Sequence, residues 1–195
     1  MTGIGPTATF DGTPANGAVV SNGGLTVTHT TTTNNAGVKS TALKSSGKYY
    51  FEIALQVSHS PNNCVGILLS TGTLVDMSSS LNCTEIILTA STPVVSNGAS
   101  SGNLLGTALV GDLYGFAIDL TGRLGWIRKG AAGNWNNIPA ANPATGANGV
   151  VIAAGSFAPA VRFTINGATD AMTANFGASA FSGAVPSGFT AGWPA

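Results

Sequence analysis

The chain of 195 residues is short of charge: only 7% of its residues are Asp, Glu, Lys or Arg, against about 25% in an average globular protein. Seven basic residues offset seven acidic ones. No basic patch is therefore available to neutralise a run of phosphates or to dock on anionic lipid, which excludes nucleic acid and charged membrane surfaces as partners. Cysteine is equally scarce. Cys64 and Cys83 are too few for a disulfide framework and lack the paired spacing of a zinc site. They read as two buried free thiols, or alternatively as a disulfide between neighbouring strands.

Catalytic groups are thin on the ground as well. The two histidines, His29 in a Thr-rich strand and His59 in a Ser-Pro-Asn turn, stand beside neither a nucleophile elbow nor a metal-binding His pair. Asp11, Glu52, Asp76, Glu85, Asp112, Asp119 and Asp170 are scattered and show no calcium-loop spacing. Asp112 and Asp119 suit turn or strand-end positions where a carboxylate accepts backbone hydrogen bonds. The expectation is a non-enzymatic protein with no metal and no cofactor. No apolar run reaches the roughly 20 residues of a membrane helix, and Met1–Pro6 has neither the basic nor the apolar region of a signal peptide.

What is abundant points to strands. The 27 Gly and 9 Pro are spread among short apolar runs, which reads as an all-β chain rich in turns rather than as disorder. Residues 111–130 spell two strands joined at Thr121-Gly122, with Asp119 opposite Leu124, Ala117 opposite Trp126 and Phe116 opposite Ile127. One face then carries Tyr114, Phe116, Ile118, Leu120 and Ile127; the other carries Leu113, Ala117, Leu124 and Trp126, with Gly115 and Ala117 leaving room for the indole. Lys48–Val57 alternates as a half-buried strand, and Cys64–Ser70 is a continuous apolar run that suits a strand covered on both faces. Thr71–Val110 promises loops and a modest hairpin around Glu85–Ala90 and Pro93–Val95. Val150–Ala154, Phe157–Ile165 and Ala171–Phe176 complete the set, giving about ten to twelve short strands, little or no helix and a two-sheet sandwich. Residues 1–6 and 178–195 lack periodicity and are expected as short surface arms on a single domain spanning 1–195.

Several pieces then fall into a known order: Gly47-Lys48-Tyr49-Tyr50-Phe51-Glu52, Val65-Gly66-Ile67, Gly111-Asp112 with Gly115 and Asp119-Leu120, Trp126, Pro159-Ala160-Val161 and Ala174-Asn175-Phe176-Gly177. Together they resemble the SPRY (B30.2-like) domain. Asn134-Trp135-Asn136-Asn137, then Asn142-Pro143-Ala144-Thr145-Gly146 and Pro186-Ser187-Gly188-Phe189, look like the SPRY-like domains of tailed-bacteriophage and prophage virion proteins. The resemblance runs from about residue 7 to residue 192. It implies a concanavalin-like sandwich of two antiparallel sheets and a binding or assembly role in a virion: capsid decoration, head fibre or tail.

Ala131–Asn148 is too long for an ordinary connection, so it is either a packed Ω-loop or a binding loop. Trp135, flanked by Asn134, Asn136 and Asn137, offers an indole face and amide donors to a sugar or peptide; the plainer reading is that it plugs the sandwich edge. Trp193 is a candidate subunit contact, or else pins the tail to its own domain. A surface poor in Lys and Glu avoids the entropy lost when long side chains are ordered, which suits permanent contact with other virion proteins and a homo-oligomer. A host-surface glycan or receptor bound at the Trp135 loop is the alternative partner.

Overall fold

The computed structural model describes residues 6–10, 13–57, 60–165 and 169–195. His59 and Asp11 lie outside the described residues, as do positions 1–5 of the N-terminal arm. The strands are β1 (Ala18–Ser21), β2 (Thr26–His29), β3 (Ala36–Lys39), β4 (Lys48–Leu55), β5 (Asn63–Leu69), β6 (Cys83–Leu88) and β7 (Pro93–Ser96). They continue as β8 (Ala99–Leu104), β9 (Leu113–Asp119), β10 (Leu124–Lys129), β11 (Val150–Val151), β12 (Phe157–Phe163), β13 (Ala171–Asn175) and β14 (Thr190–Ala191). One short helix, α1 (Leu74–Ser78), is interleaved. The larger sheet has the order β1-β2-β13-β4-β9-β10-β11 with β14 added beside β4; the smaller runs β3-β12-β5-β6-β7-β8. All neighbours are antiparallel except the β14–β4 pair.

Between the sheets lies the main core. Period-two alternation sends Phe51, Ile53 and Leu55 of β4, Phe116 and Ile118 of β9 and Val161 and Phe163 of β12 into it. The rings of Phe51 and Phe116 stack in parallel at 4.8 Å. The β9–β10 register is the one expected, with Ala117 opposite Trp126 and Phe116 opposite Ile127. The turn differs: Arg123, not Gly122, takes the left-handed backbone at φ 58°, and the Asp119 carboxylate accepts the Gly122 N–H at 2.6 Å. This makes a four-residue loop closed by a side chain instead of a two-residue turn. Nor is β4 half-buried, because Tyr50 and Glu52 on its outer face are 0% and 2% exposed.

The outer face of β4 is covered by the tail. Residues 178–195 have the composition of a surface arm, yet β14 extends the larger sheet along Tyr49–Tyr50 where β13 ends. Trp193 sinks into the main core, edge-on to Phe51 at 5.8 Å, and its Nε1 donates to the Ala42 carbonyl at 2.8 Å. A subunit contact through this side chain is therefore corrected: at 0% exposure it touches only its own chain. A segment fixed by isolated anchors has no periodicity to betray it.

The outer face of the smaller sheet carries Cys64, Leu68, Cys83 and Ala160, covered by Met77 of α1. Both cysteines are free. Cys64 pairs with Ile87 and Cys83 with Leu68, four residues apart along the ladder, or about 13 Å, beyond the ~7 Å Cα reach of a disulfide. Glu85 stands between them opposite Gly66, whose Cβ would come within 2.1 Å of the Thr84 carbonyl. Burial pushes the Glu85 carboxyl from an ordinary 4.5 up to about 8. One oxygen accepts from Ser80 Oγ at 2.9 Å; the other has no hydrogen-bond partner among the described residues.

Both placements can be tested by stability measurements. Trp193→Ala removes a fully buried indole and its hydrogen bond, so chemical denaturation is expected to show a loss of about 3–5 kcal/mol; a loss below 1 kcal/mol would mean the tail is not part of the core. For Glu85, the unfolded chain gives up its proton near pH 4.5 while the folded chain holds it to about pH 8. The folded state therefore loses stability as pH rises through that window. The melting temperature of Glu85→Gln, which keeps an acceptor for Ser80, is expected to stay level from about pH 5 to 8 while that of the wild type falls; parallel curves would refute the assignment.

Candidate functional site

After β10 the chain makes a 3-10 turn at Trp135–Asn137, where Asn136 and Asn137 adopt left-handed backbone with φ of 51° and 54°, a conformation that Asn tolerates. The fully interior Asn136 amide replaces a strand partner at the edge of β10. Its Oδ1 accepts the Ile127 N–H at 2.9 Å, and its Nδ2 donates to the Asn148 carbonyl at 2.9 Å. Asn137 Nδ2 donates to the Leu104 carbonyl at 3.0 Å. Asn134 is exposed and Trp135 is half-buried. Of the four residues singled out in this loop, the structure brings Asn134 and Asn137 to one surface cleft, sends Asn136 inside, and lays Trp135 against the sheet.

Trp135 covers a closed network. Its indole face lies over the Arg128 guanidinium at 4.3 Å and edge-on to Tyr50 at 6.3 Å, so that face is taken by a cation of the same chain. Arg128 Nη2 donates to the Tyr50 hydroxyl at 3.2 Å and to the Ala184 carbonyl at 2.8 Å. Tyr50 donates to Glu52 Oε1 at 2.7 Å, and Glu52 also accepts the Ser182 and Gly183 N–H groups at 3.0 and 2.8 Å. Burial and the neighbouring carboxylate push the Tyr50 phenol well above its usual range. Space for that hydroxyl comes from Gly115, where a Cβ would lie 2.8 Å from it; the Trp126 indole instead packs against Gly149, and its Nε1 donates to the Ala147 carbonyl at 2.8 Å. The network fastens the tail to the sheet and is shut off from solvent.

Open surface lies elsewhere. The β2–β3, β4–β5, β8–β9 and β12–β13 connections gather at one end of the sandwich, where Val57, Leu109, Val110 and Ile165 are all more than half exposed. Two clefts open there. The first, about 420 Å³, is lined by Leu105, Asp112, Lys129, Gly133, Asn134 and Asn137. Its charges are already matched: Lys129 Nζ sits 2.7 Å from Asp112 Oδ2, which also accepts the Leu109 N–H at 2.6 Å.

The second cleft, about 360 Å³, is lined by Asn34, Pro61, Asn62, Ser78, Arg162 and Thr164, among others. Arg162 is 5% exposed. Its alternation with Val161 and Phe163 marks it in the sequence as an ordinary outward residue; a lone Arg in an apolar strand is the signal that could have found it. His29 is buried, with Nε2 against the Thr33 carbonyl at 3.0 Å and its ring stacked on Phe163 at 5.4 Å, so no substrate can reach it. Among the described residues no cluster of three or more His, Cys, Asp or Glu could hold a metal ion.

Neither a protein-family model nor a curated protein matches this chain. Solved structures do match. The SPRY domain of human HERC1 aligns with 85% of this chain and 96% of its own length, at a TM-score of 0.63 and 16% identity. The TRIM65 PSpry domain aligns with 87% of this chain and 92% of its own, at a TM-score of 0.60 and 14% identity. With its two antiparallel sheets and this strand order, the chain has the SPRY fold.

Proposed function

We propose that this protein is a non-enzymatic structural component of a bacteriophage or phage-like particle, joining other virion proteins and copies of itself through uncharged surfaces. One observation carries the reading: among the described residues, every charged side chain except Arg123 is buried or half-buried, and each is engaged within the chain. Lys39 donates to the Ser70 carbonyl, Lys44 to Ala195 and Arg123 to Ile152; Asp170 accepts from Ser60 and Asn63. Lys48 pairs with Asp119, and Lys129 with Asp112. The surface left over is mostly Ser, Thr, Asn, Ala and Gly with scattered exposed apolar side chains such as Val75 and Val151, and Val57, Leu109, Val110 and Ile165 gather at one end. Such a surface associates by shape and apolar contact, without charge repulsion between identical copies.

The prediction is an association that salt does not weaken. Purified protein added to particles lacking it is expected to co-sediment with them equally in dilute buffer and at about 1 M salt, where the screening length falls to ~3 Å. The exposed double substitution Leu109→Asp and Val110→Asp is expected to abolish binding without changing the melting temperature. A wild-type chain that stays monomeric when concentrated and leaves such particles unbound would overturn the reading.

A host-surface glycan is the second reading, and the cleft beside Asn134 and Asn137 is what favours it. The site then rests on amides and on the apolar wall at Leu105, while Trp135 does not line it and its ring is taken by Arg128. Asn134→Ala is expected to lower adsorption to host cells at least tenfold under this reading and to leave particle assembly untouched; unchanged adsorption would exclude it.

A further inference from the structure

The structure buries two guanidinium groups, one on the outer face of each sheet, and treats them differently. Arg128 is compensated in charge, because Trp135 stacks on it and Tyr50 links it to the Glu52 carboxylate, although its Nε has no hydrogen-bond partner among the described residues. Arg162 on the smaller sheet is not. Its Nε donates to Asn35 Oδ1 at 2.8 Å, Nη2 to Asn34 Oδ1 at 3.0 Å, and Nη1 to the Asn62 carbonyl at 3.1 Å and more weakly to Cys64 Sγ at 3.8 Å. All four acceptors are neutral. The two ion pairs among the described residues involve other side chains.

The nearby acid does not supply the missing charge. Burial holds the Glu85 carboxyl at about 8, and burial likewise keeps the Cys64 thiol protonated. Near neutral pH the guanidinium thus sits in a low-dielectric setting with no anion among the described residues, an arrangement that costs free energy unless something else completes it. An arginine has five N–H donors, and the four bonds above leave one on Nη2 without an acceptor among the described residues. The group lines the floor of an open cleft of about 360 Å³. Polar Asn34, Asn62 and Thr164 stand around it, with Pro61, Ile87 and Ile165 as apolar walls. A carboxylate carried on a short aliphatic stem fits both features.

We infer that the Arg162 cleft is a recognition site for an acidic side chain, Asp or Glu, presented by a partner protein, with Arg162 binding the carboxylate and Asn34, Asn62 and Thr164 ringing it. The choice of a protein partner rests on the assembly reading above, and it deepens that reading: a contact that is otherwise apolar and non-directional gains one keyed point that fixes orientation. The apolar lip at Ile165, 54% exposed, joins the keyed point to the exposed end of the sandwich.

The test uses the intact chain alone, so that its failure is distinct from a failure of particle binding. Nuclear magnetic resonance titration with the methylamide of N-acetylglutamate is expected to shift the Arg162 Nε–H and Cys64 amide signals saturably. The glutamine counterpart is expected to leave them in place. Arg162→Gln should abolish the response, but Arg162 ties several loops together and that variant can unfold. Ser78→Trp provides the second arm: Ser78 is exposed on α1, lines the cleft and makes no contact with Arg162 in the hydrogen-bond network, so an indole there is expected to weaken binding at least tenfold in a folded protein. Equal shifts with the glutamine compound, or no saturable shift, would overturn the inference. So would a response to glucuronate without one to the glutamate compound, which would give the cleft to a sugar acid.

Discussion

The architecture depends on how the outer face of the larger sheet is closed, and a single carboxylate does most of that closing. Glu52 lies on β4 in the middle of an apolar sheet, 2% exposed, and receives the Tyr50 hydroxyl and the amides of Ser182 and Gly183. A buried carboxylate is tolerated only when its lone pairs are filled; here the tail backbone fills them. That requirement draws residues 181–185 across the sheet, where the Ala184 carbonyl meets Arg128 and Phe181 packs on Tyr50 at 4.9 Å. Once the tail is held there, β14 can join β4, and Trp193 can drop into the main core between Tyr49 and Phe51. The charge network and the core are therefore coupled through a stretch of tail that has no pattern of its own.

How much of this could be read from the sequence depends on whether a segment is held by periodicity or by individual contacts. The β9–β10 hairpin was legible because both of its faces are apolar and a one-residue slip would misplace every side chain. β8 was not legible: Ala99–Leu104 is Ser- and Gly-rich, and it is a strand only because it pairs with β7. The helix α1 has no periodicity at only five residues, although its start carries a signal, Thr73 and Asp76 in a reciprocal capping box. In the Asn134–Asn137 loop the residue types suit a ligand, whereas the fold uses two of them internally. Asn136 completes the edge of β10, and Trp135 shields Arg128. The amide and the indole are versatile in both roles, so type alone does not separate them.

Scarcity of charge also explains why the remaining charges are so informative. A chain with a well-charged surface can spare side chains for solubility, and an individual Arg there says little. In this chain the charged groups work internally: Asp119 locks a turn, Asp170 and Arg162 tie loops together, and Glu52 and Arg128 fasten the tail. Internalising them has two consequences at once. It removes long, entropically costly side chains from the exterior, and it leaves the exterior to be recognised by shape.

The two guanidinium sites show where that economy is complete and where it is not. Around Arg128 the chain supplies an aromatic roof and a carboxylate one hydroxyl away, and although Nε has no hydrogen-bond partner among the described residues, the result is a buried joint between tail and sheet. Around Arg162 it supplies only neutral oxygens and a sulfur, and the cleft stays open. Glu85 shares the same face of the smaller sheet two strands away, forms no ion pair with Arg162, and is held protonated by burial. By holding Glu85 neutral under Met77, the fold adds no negative charge to the face that carries Arg162, so the packing that makes Glu85 a stability liability at high pH also leaves the Arg162 charge unmatched among the described residues.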